Sequence, residues 1–287
     1  MALLVFCSAH GAPGVTTTAL ACALTWPGDV LLADADRDPS QAVLAGFLQG
    51  TDAGGRGLPA LAQAHRDGLD LVGELRRQSL ALTDERDPVR RFVPGFVHPG
   101  SAALFGSVWP DFVAALVDLG RLDMSALVDA GRIGRDGLPT PLLVQADRIV
   151  VLVRSSLPAL AALRLAIGDL RSRQSAVGGF GSIGLVVVGA DRPYSEREIA
   201  DQFELPVWAS LPWAPQDAAA LSDGGTTPWA RLRQRPLLRA ARTLSSALAA
   251  GVAAQSALVA GTNAPAGASP AVASWPPAAA PMGVSHV

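Results

Sequence analysis

Short apolar runs alternate with stretches of helical spacing along most of the chain. Ala2–Cys7, Asp29–Asp34, Arg91–Phe96, Met124–Asp129, Arg148–Arg154, Ile183–Gly189 and Val207–Leu211 read as strands. The spacing of apolar positions predicts helices over Val15–Trp26, Pro39–Gln49, Pro110–Gly120, Leu157–Ser172, Ser195–Phe203 and Pro236–Ala250. The strand runs are apolar at successive positions, which suits strands covered on both faces. Alternation with helices of ten or more residues then predicts a parallel sheet with right-handed crossovers.

Two regions break this rhythm. Residues Thr51–Arg90 are rich in Gly, Arg and Asp, with amphipathic pieces at Leu58–His65 and Leu71–Leu82, and read as an insert. From Gly251 the chain is rich in Ala, Pro and Ser and has no charge apart from a late His286, which predicts a disordered tail over 251–287. The expected organisation is one domain over 1–250, the insert at about 51–90, and the tail.

Composition narrows the function classes. The 287 residues are 49% hydrophobic, enough for a large core. Mean hydropathy is positive, but alanine carries it. No run of eighteen apolar residues offers a membrane span, and the start lacks a basic leader, so the expected location is cytoplasmic. The two cysteines, Cys7 and Cys22, fall on apolar positions and read as buried thiols. A net charge of −2 gives no overall field toward nucleic acid or acidic membranes. The cations are nonetheless clustered. Arg231, Arg233, Arg235, Arg239 and Arg242 fall in a stretch without an acid, since no Asp or Glu follows Asp223. These arginines are candidates for nonspecific DNA contact or for the solvated face of the last helix, whose Leu237, Ala241, Leu244 and Leu248 form an apolar stripe. Every cationic residue among the 23 is arginine.

The candidate chemistry lies in Ser8–Leu24, "SAHGAPGVTTTALACAL". A strand, a glycine loop and a helix start place backbone N–H groups around an anion. Gly11, Ala12, Gly14, Val15, Thr16 and Thr17 would form the cradle, with a threonine hydroxyl near a metal or capping the helix. An ordinary strand-to-helix turn explains the same residues. The second strand ends in "DADRDPS", Asp34–Ser40, and "ALVD" occurs at both Asp118 and Asp129. Asp118 sits inside a helical pattern opened by Pro110 and closed by Gly120, whereas Asp129 ends a strand-like run, so Asp129 is the site candidate. Asp36 and Asp129 serve equally well as local caps.

Taken in order, these stretches resemble the MinD/ParA superfamily of deviant-Walker P-loop ATPases, most nearly its CpaE/TadZ-like pilus-assembly branch. The resemblance implies an α/β fold of the P-loop NTPase kind, with a mostly parallel, twisted sheet of about seven or more strands and helices on both faces. It places "HGAPGVTT" over the family loop K-G-G-x-G-K-T-T. His10 then stands at the signature lysine, Val15 at the Walker lysine, and Thr16 at the Mg²⁺ ligand. Asp36 matches the switch I aspartate, Asp129 the Walker B aspartate and Gly131 the switch II glycine. Gly189 or Ala190 occupies the place of an adenine-contacting asparagine, and Pro212 opens the loop bordering the base.

What the resemblance implies is ATP or ADP with Mg²⁺ held by Thr16 and Asp129, and a homodimer that positions a protein partner such as a Tad-type pilus or secretion ATPase. The departures imply a degenerate site. Valine neutralises no phosphate charge, and losing one preorganised group of that kind costs on the order of 10²–10³ in rate. With no lysine in the chain, only an arginine stands in, and Arg37, Arg132 and Arg154 are the candidates for a slow ATPase.

Overall fold

The computed structural model describes residues 1–10, 13–84, 87–190, 193–224 and 228–262. The chain opens with β1 (Leu3–Ser8), α1 (Val15–Thr25) and β2 (Asp29–Asp34). There follow α2 (Leu58–Arg66), α3 (Leu71–Gln78), β3 (Leu80–Ala81), β4 (Arg90–Val93), α4 (Pro99–Leu104), α5 (Trp109–Asp118) and β5 (Met124–Arg132). The second half holds α6 (Thr140–Gln145), β6 (Arg148–Arg154), α7 (Leu157–Ala176), β7 (Ser182–Val188), α8 (Glu196–Phe203), β8 (Val207–Leu211), α9 (Pro215–Ser222), α10 (Trp229–Leu232) and α11 (Pro236–Thr262).

Among the described residues the strands make one eight-stranded sheet in the order β3-β4-β2-β5-β1-β6-β7-β8. All neighbours are parallel except β3 and β4. The parallel sheet with helices on both faces is thus the one the sequence pattern predicts. Its strands alternate their side chains between two apolar layers. Leu3, Val5 and Cys7 join the layer under α5 and α7. Leu4 and Phe6 join the layer under α1 and α11. Both cysteines are buried, which pushes each thiol up to about 12 and leaves it inert. No helix among the described residues is long and apolar enough to cross a membrane.

Several elements depart from the sequence expectation. In place of a helix over Pro39–Gln49 there is one π-turn at Val43–Phe47. Gly46 there lies against the backbone of Ser222, where a Cβ would stand 2.1 Å from the carbonyl oxygen. Gln41 and Gln49 on either side have positive φ, 53° each, which no continuous helix accommodates. The insert holds two helices and a two-residue strand that pairs antiparallel with β4. The last helix does not stop at Ala250 but continues to Thr262, so the boundary placed at Gly251 falls inside it. Alanine-rich sequence without charge is a strong helix former. The expected tail beyond it, residues 263–287, lies outside the described residues.

Candidate functional site

β1, β2 and β5 are neighbours in the middle of the sheet, and the site lies at their carboxyl ends, where ligands collect in parallel sheets. Gly14 holds the helix entry in the left-handed region, φ 91°, and its carbonyl accepts the Thr18 N–H at 2.8 Å to open α1. No side chain caps this end, so the first N–H groups of α1 are the donors a phosphate would meet. Gly11 and Ala12 of the expected cradle lie outside the described residues. Val15 does not face the site. It is 7% exposed and packs in the layer with Leu20 and Leu24. Thr16 and Thr17 remain half-buried at the helix start, and His10 is exposed at the loop's entry.

The register of the sheet brings the carboxylates together. Asp34 of β2 lies directly beside Asp129 of β5. β5 does not end at Asp129, as its sequence pattern suggested, but continues to Arg132 beside a bulged Ser8, and the Ile133 N–H donates to the Ser8 carbonyl at 2.9 Å. Asp129 is therefore buried, and burial pushes its carboxyl up to about 6. The Thr16 hydroxyl and the Gly131 N–H, 3.0 Å from Oδ1, pull it back down. Its Oδ2 is buried with no hydrogen-bond partner among the described residues. Asp34 is pushed up by burial and then by the charge of Asp129, and Asp36 by burial. Asp118, the rejected alternative, lies at the end of α5 and pairs with Arg121 at 3.3 Å.

Gly131 and Asp36 require one another. Gly131 has φ 59°, and a Cβ there would stand 2.1 Å from the Asp36 carboxyl carbon. The two loops are also clasped by cations. Arg37 donates to the carbonyls of Ile133 at 2.9 Å and Gly137 at 2.6 Å, and Arg132 pairs with Asp38 at 2.7 Å. Arg37→Ala is expected to cost about 1–3 kcal/mol through two unsatisfied carbonyls. It should also speed amide exchange across residues 133–138; unchanged exchange there would mean that Arg37 is not the clasp. Of the other arginines proposed as lysine substitutes, Arg154 is stacked over Trp213, 4.0 Å from the ring centroid.

Two openings flank the loop. A cleft of 400 Å³ brings Gly14, Thr17, Pro212 and Trp213 together, and next to it Gly189 and Ala190 line a space with Arg154. On the other side a cleft of 1040 Å³ runs between His10, Asp36, Arg135 and Trp109. Sequence reasoning missed Asp34, the Arg37 clasp and the Arg154–Trp213 stack. The position of Asp34 at the end of "DVLLAD" was its one visible signal. Among the described residues no three His, Cys, Asp or Glu side chains are grouped to hold a metal alone. Asp129 with its unpartnered Oδ2, beside Thr16, nevertheless fits Mg²⁺ whose shell is completed by phosphate and water oxygens.

No protein-family model and no curated protein matches the chain. Solved structures do. A ParA family ATPase from Chlorobium tepidum TLS is similar with a TM-score of 0.65 at 17% identity, over 85% of this chain and 98% of that one. MinD from Pyrococcus horikoshii OT3, complexed with Mg-ADP, is similar at 0.60 and 17%, over 92% and 99%. The MinC:MinD cell division complex of Aquifex aeolicus is similar at 0.61 and 17%, over 87% and 96%. At these identities the likeness shows the fold, which is that of MinD/ParA P-loop ATPases.

Proposed function

We propose that this chain is a MinD/ParA-type positioning protein that holds Mg²⁺-nucleotide at its loop but turns it over negligibly. Nucleotide would serve to set the shape of the loop face, through which two copies pair and recruit a protein partner. The family-based choice of partner is a Tad-type pilus or secretion ATPase, with the pair drawn from the cytoplasm to a pole or a membrane-associated assembly. The similar MinD structure that carries Mg-ADP, and the one complexed with MinC, make both the ligand and a partner-bound mode reasonable for this fold.

The observation that carries the reading is the fate of the position where the family has its phosphate lysine. Val15 is packed into the core, so it offers the cradle only a backbone N–H. The three arginines that the sequence offers as substitutes are engaged, Arg37 by two carbonyls, Arg132 by Asp38 and Arg154 by Trp213. The acidic half is intact. Thr16 and Asp129 would hold Mg²⁺, and Asp36 would orient a water at the loop's mouth. When bound, Mg²⁺ would neutralise part of the phosphate charge. Gly14 and Thr17 would border the phosphates, with Pro212 and Trp213 against the base.

Titration calorimetry of ATP with Mg²⁺ tests the binding half. Wild type is expected to bind, and Thr16→Val and Asp129→Ala are each expected to weaken binding by about tenfold or more. No heat at millimolar ATP would leave the loop as architecture alone and remove nucleotide from the proposal.

A further inference from the structure

The opening beside Trp213 holds charges that the phosphate loop does not use. It has a volume of 750 Å³ and lies at the carboxyl ends of β6, β7 and β8. It shares Val188, Leu211, Pro212 and Trp213 with the 400 Å³ cleft of Gly14 and Thr17, so the two spaces adjoin. Arg154 closes β6 and Glu196 opens α8, and both line it. They make no ion pair with each other or with another residue among the described residues. Arg154 lies over the Trp213 ring, and its N–H groups have no acceptor among the described residues. Ser210, which also lines the opening, has a buried Oγ with no hydrogen-bond partner among the described residues.

Neighbouring polar groups are satisfied locally. The Ser155 hydroxyl donates to the Tyr194 carbonyl at 2.6 Å and accepts the Tyr194 N–H at 3.1 Å. Asp223, in the loop-side cleft, accepts the Ser222 hydroxyl at 2.6 Å. Gly189 and Ala190 bring no side-chain donor or acceptor. What remains is an aromatic and apolar wall, one guanidinium, one carboxylate and one orphaned hydroxyl. That is the make-up of a site for a flat, polar-edged ring.

We propose that this opening reads the base of the nucleotide and favours guanine, with Arg154 donating to O6 and N7 and Glu196 accepting from N1–H and the 2-amino group. The inference rests on the nucleotide binding proposed above and adds the identity of the base. Guanine carries two acceptors side by side, which suit the fork of a guanidinium, and two donors side by side, which suit a carboxylate. Adenine turns its N6 amino group toward the guanidinium and the N1 lone pair toward the carboxylate, so neither charge gains a paired contact. A pyrimidine has no N7. Stacking on Trp213 holds the guanidinium by its face and leaves its N–H edge open to the base.

The test is titration calorimetry of the full chain with Mg²⁺ and GTP, ITP or ATP. GTP should bind about tenfold or more tighter than ATP. ITP keeps O6, N7 and N1–H but lacks the 2-amino group, and should fall between them. Glu196→Gln should weaken GTP by about tenfold and leave ATP unchanged, and Arg154→Met, which keeps an apolar stem over Trp213, should do the same. Both positions are exposed, so folding is preserved, and circular dichroism of each variant checks it. ATP bound as tightly as GTP, or a GTP preference that both substitutions leave intact, overturns the inference while nucleotide binding stands. GTP and ATP both without heat at millimolar concentration would overturn it together with the nucleotide binding it rests on.

Discussion

Phe105→Ala is expected to destabilise the protein by about 3–5 kcal/mol, the range for a buried aromatic truncated in a packed core. Phe105 is 1% exposed and closes the end of α4. Its ring meets three others edge-on: Phe96 at 5.4 Å, Trp109 at 5.1 Å and Phe112 at 5.5 Å. Each such pair adds about 0.5–1.5 kcal/mol beyond its buried area. The cluster also backs the 1040 Å³ cleft, which Trp109 and Ala102 line. Its loss would therefore loosen the wall that faces Asp36. The neighbouring Leu104 is 77% exposed, and Leu104→Ala should stay within about 0.5 kcal/mol. Urea unfolding of both variants makes the comparison. A Phe105→Ala cost no greater than that of Leu104→Ala would mean that the cluster does not hold this side of the sheet.

The second large effect concerns Asp129 and pH. Its carboxyl is raised to about 6 from 3.8, chiefly by burial. The folded state thus binds this proton more readily than the unfolded chain. Stability from this group is fully present below the unfolded value and declines as pH rises toward about 6, then levels off. A shift of about two units amounts to about 3 kcal/mol. Asp34 and Asp36 are raised in the same direction and reinforce the slope. Asp129→Asn should therefore be more stable than wild type at about pH 8, by up to about 3 kcal/mol, and should flatten the decline between about pH 4 and about pH 6. Denaturant unfolding at about pH 4 and about pH 8 reads this directly. A variant less stable than wild type at the higher pH, with an unchanged slope, would mean that Asp129 carries no buried charge. A site strained in this way gains from any cation placed beside it, which is why the same residue is the metal candidate.

The central strands were legible in the sequence because a parallel strand covered on both faces is apolar at every position, as in "RIVVLVR" and "IGLVVVG". Asp129 was separable from Asp118 because helix punctuation, Pro110 and Gly120, marks one and not the other. What escaped the sequence depends on contacts between distant segments. The π-turn at Val43–Phe47 answers to Ser222, far along the chain. Asp34 becomes part of the site only through its register with Asp129. The Arg37 clasp joins carbonyls about a hundred positions away. The short helices α4 and α9 begin with proline, a start signal that was present at Pro99 and Pro215 but outweighed by brevity. α11 was cut short because its uncharged alanines resemble tail composition, although they equally favour helix. The placement of Val15 shows the same limit. The resemblance sets Val15 against a lysine, and only packing shows that Val15 lies in the core.

Steady-state ATP hydrolysis by the purified full chain with Mg²⁺, measured beside Asp129→Ala, tests the central claim most directly. Turnover by wild type that cannot be separated from the variant is the result the proposed function predicts. Turnover by wild type that Asp129→Ala abolishes would contradict the account and make the chain a working ATPase.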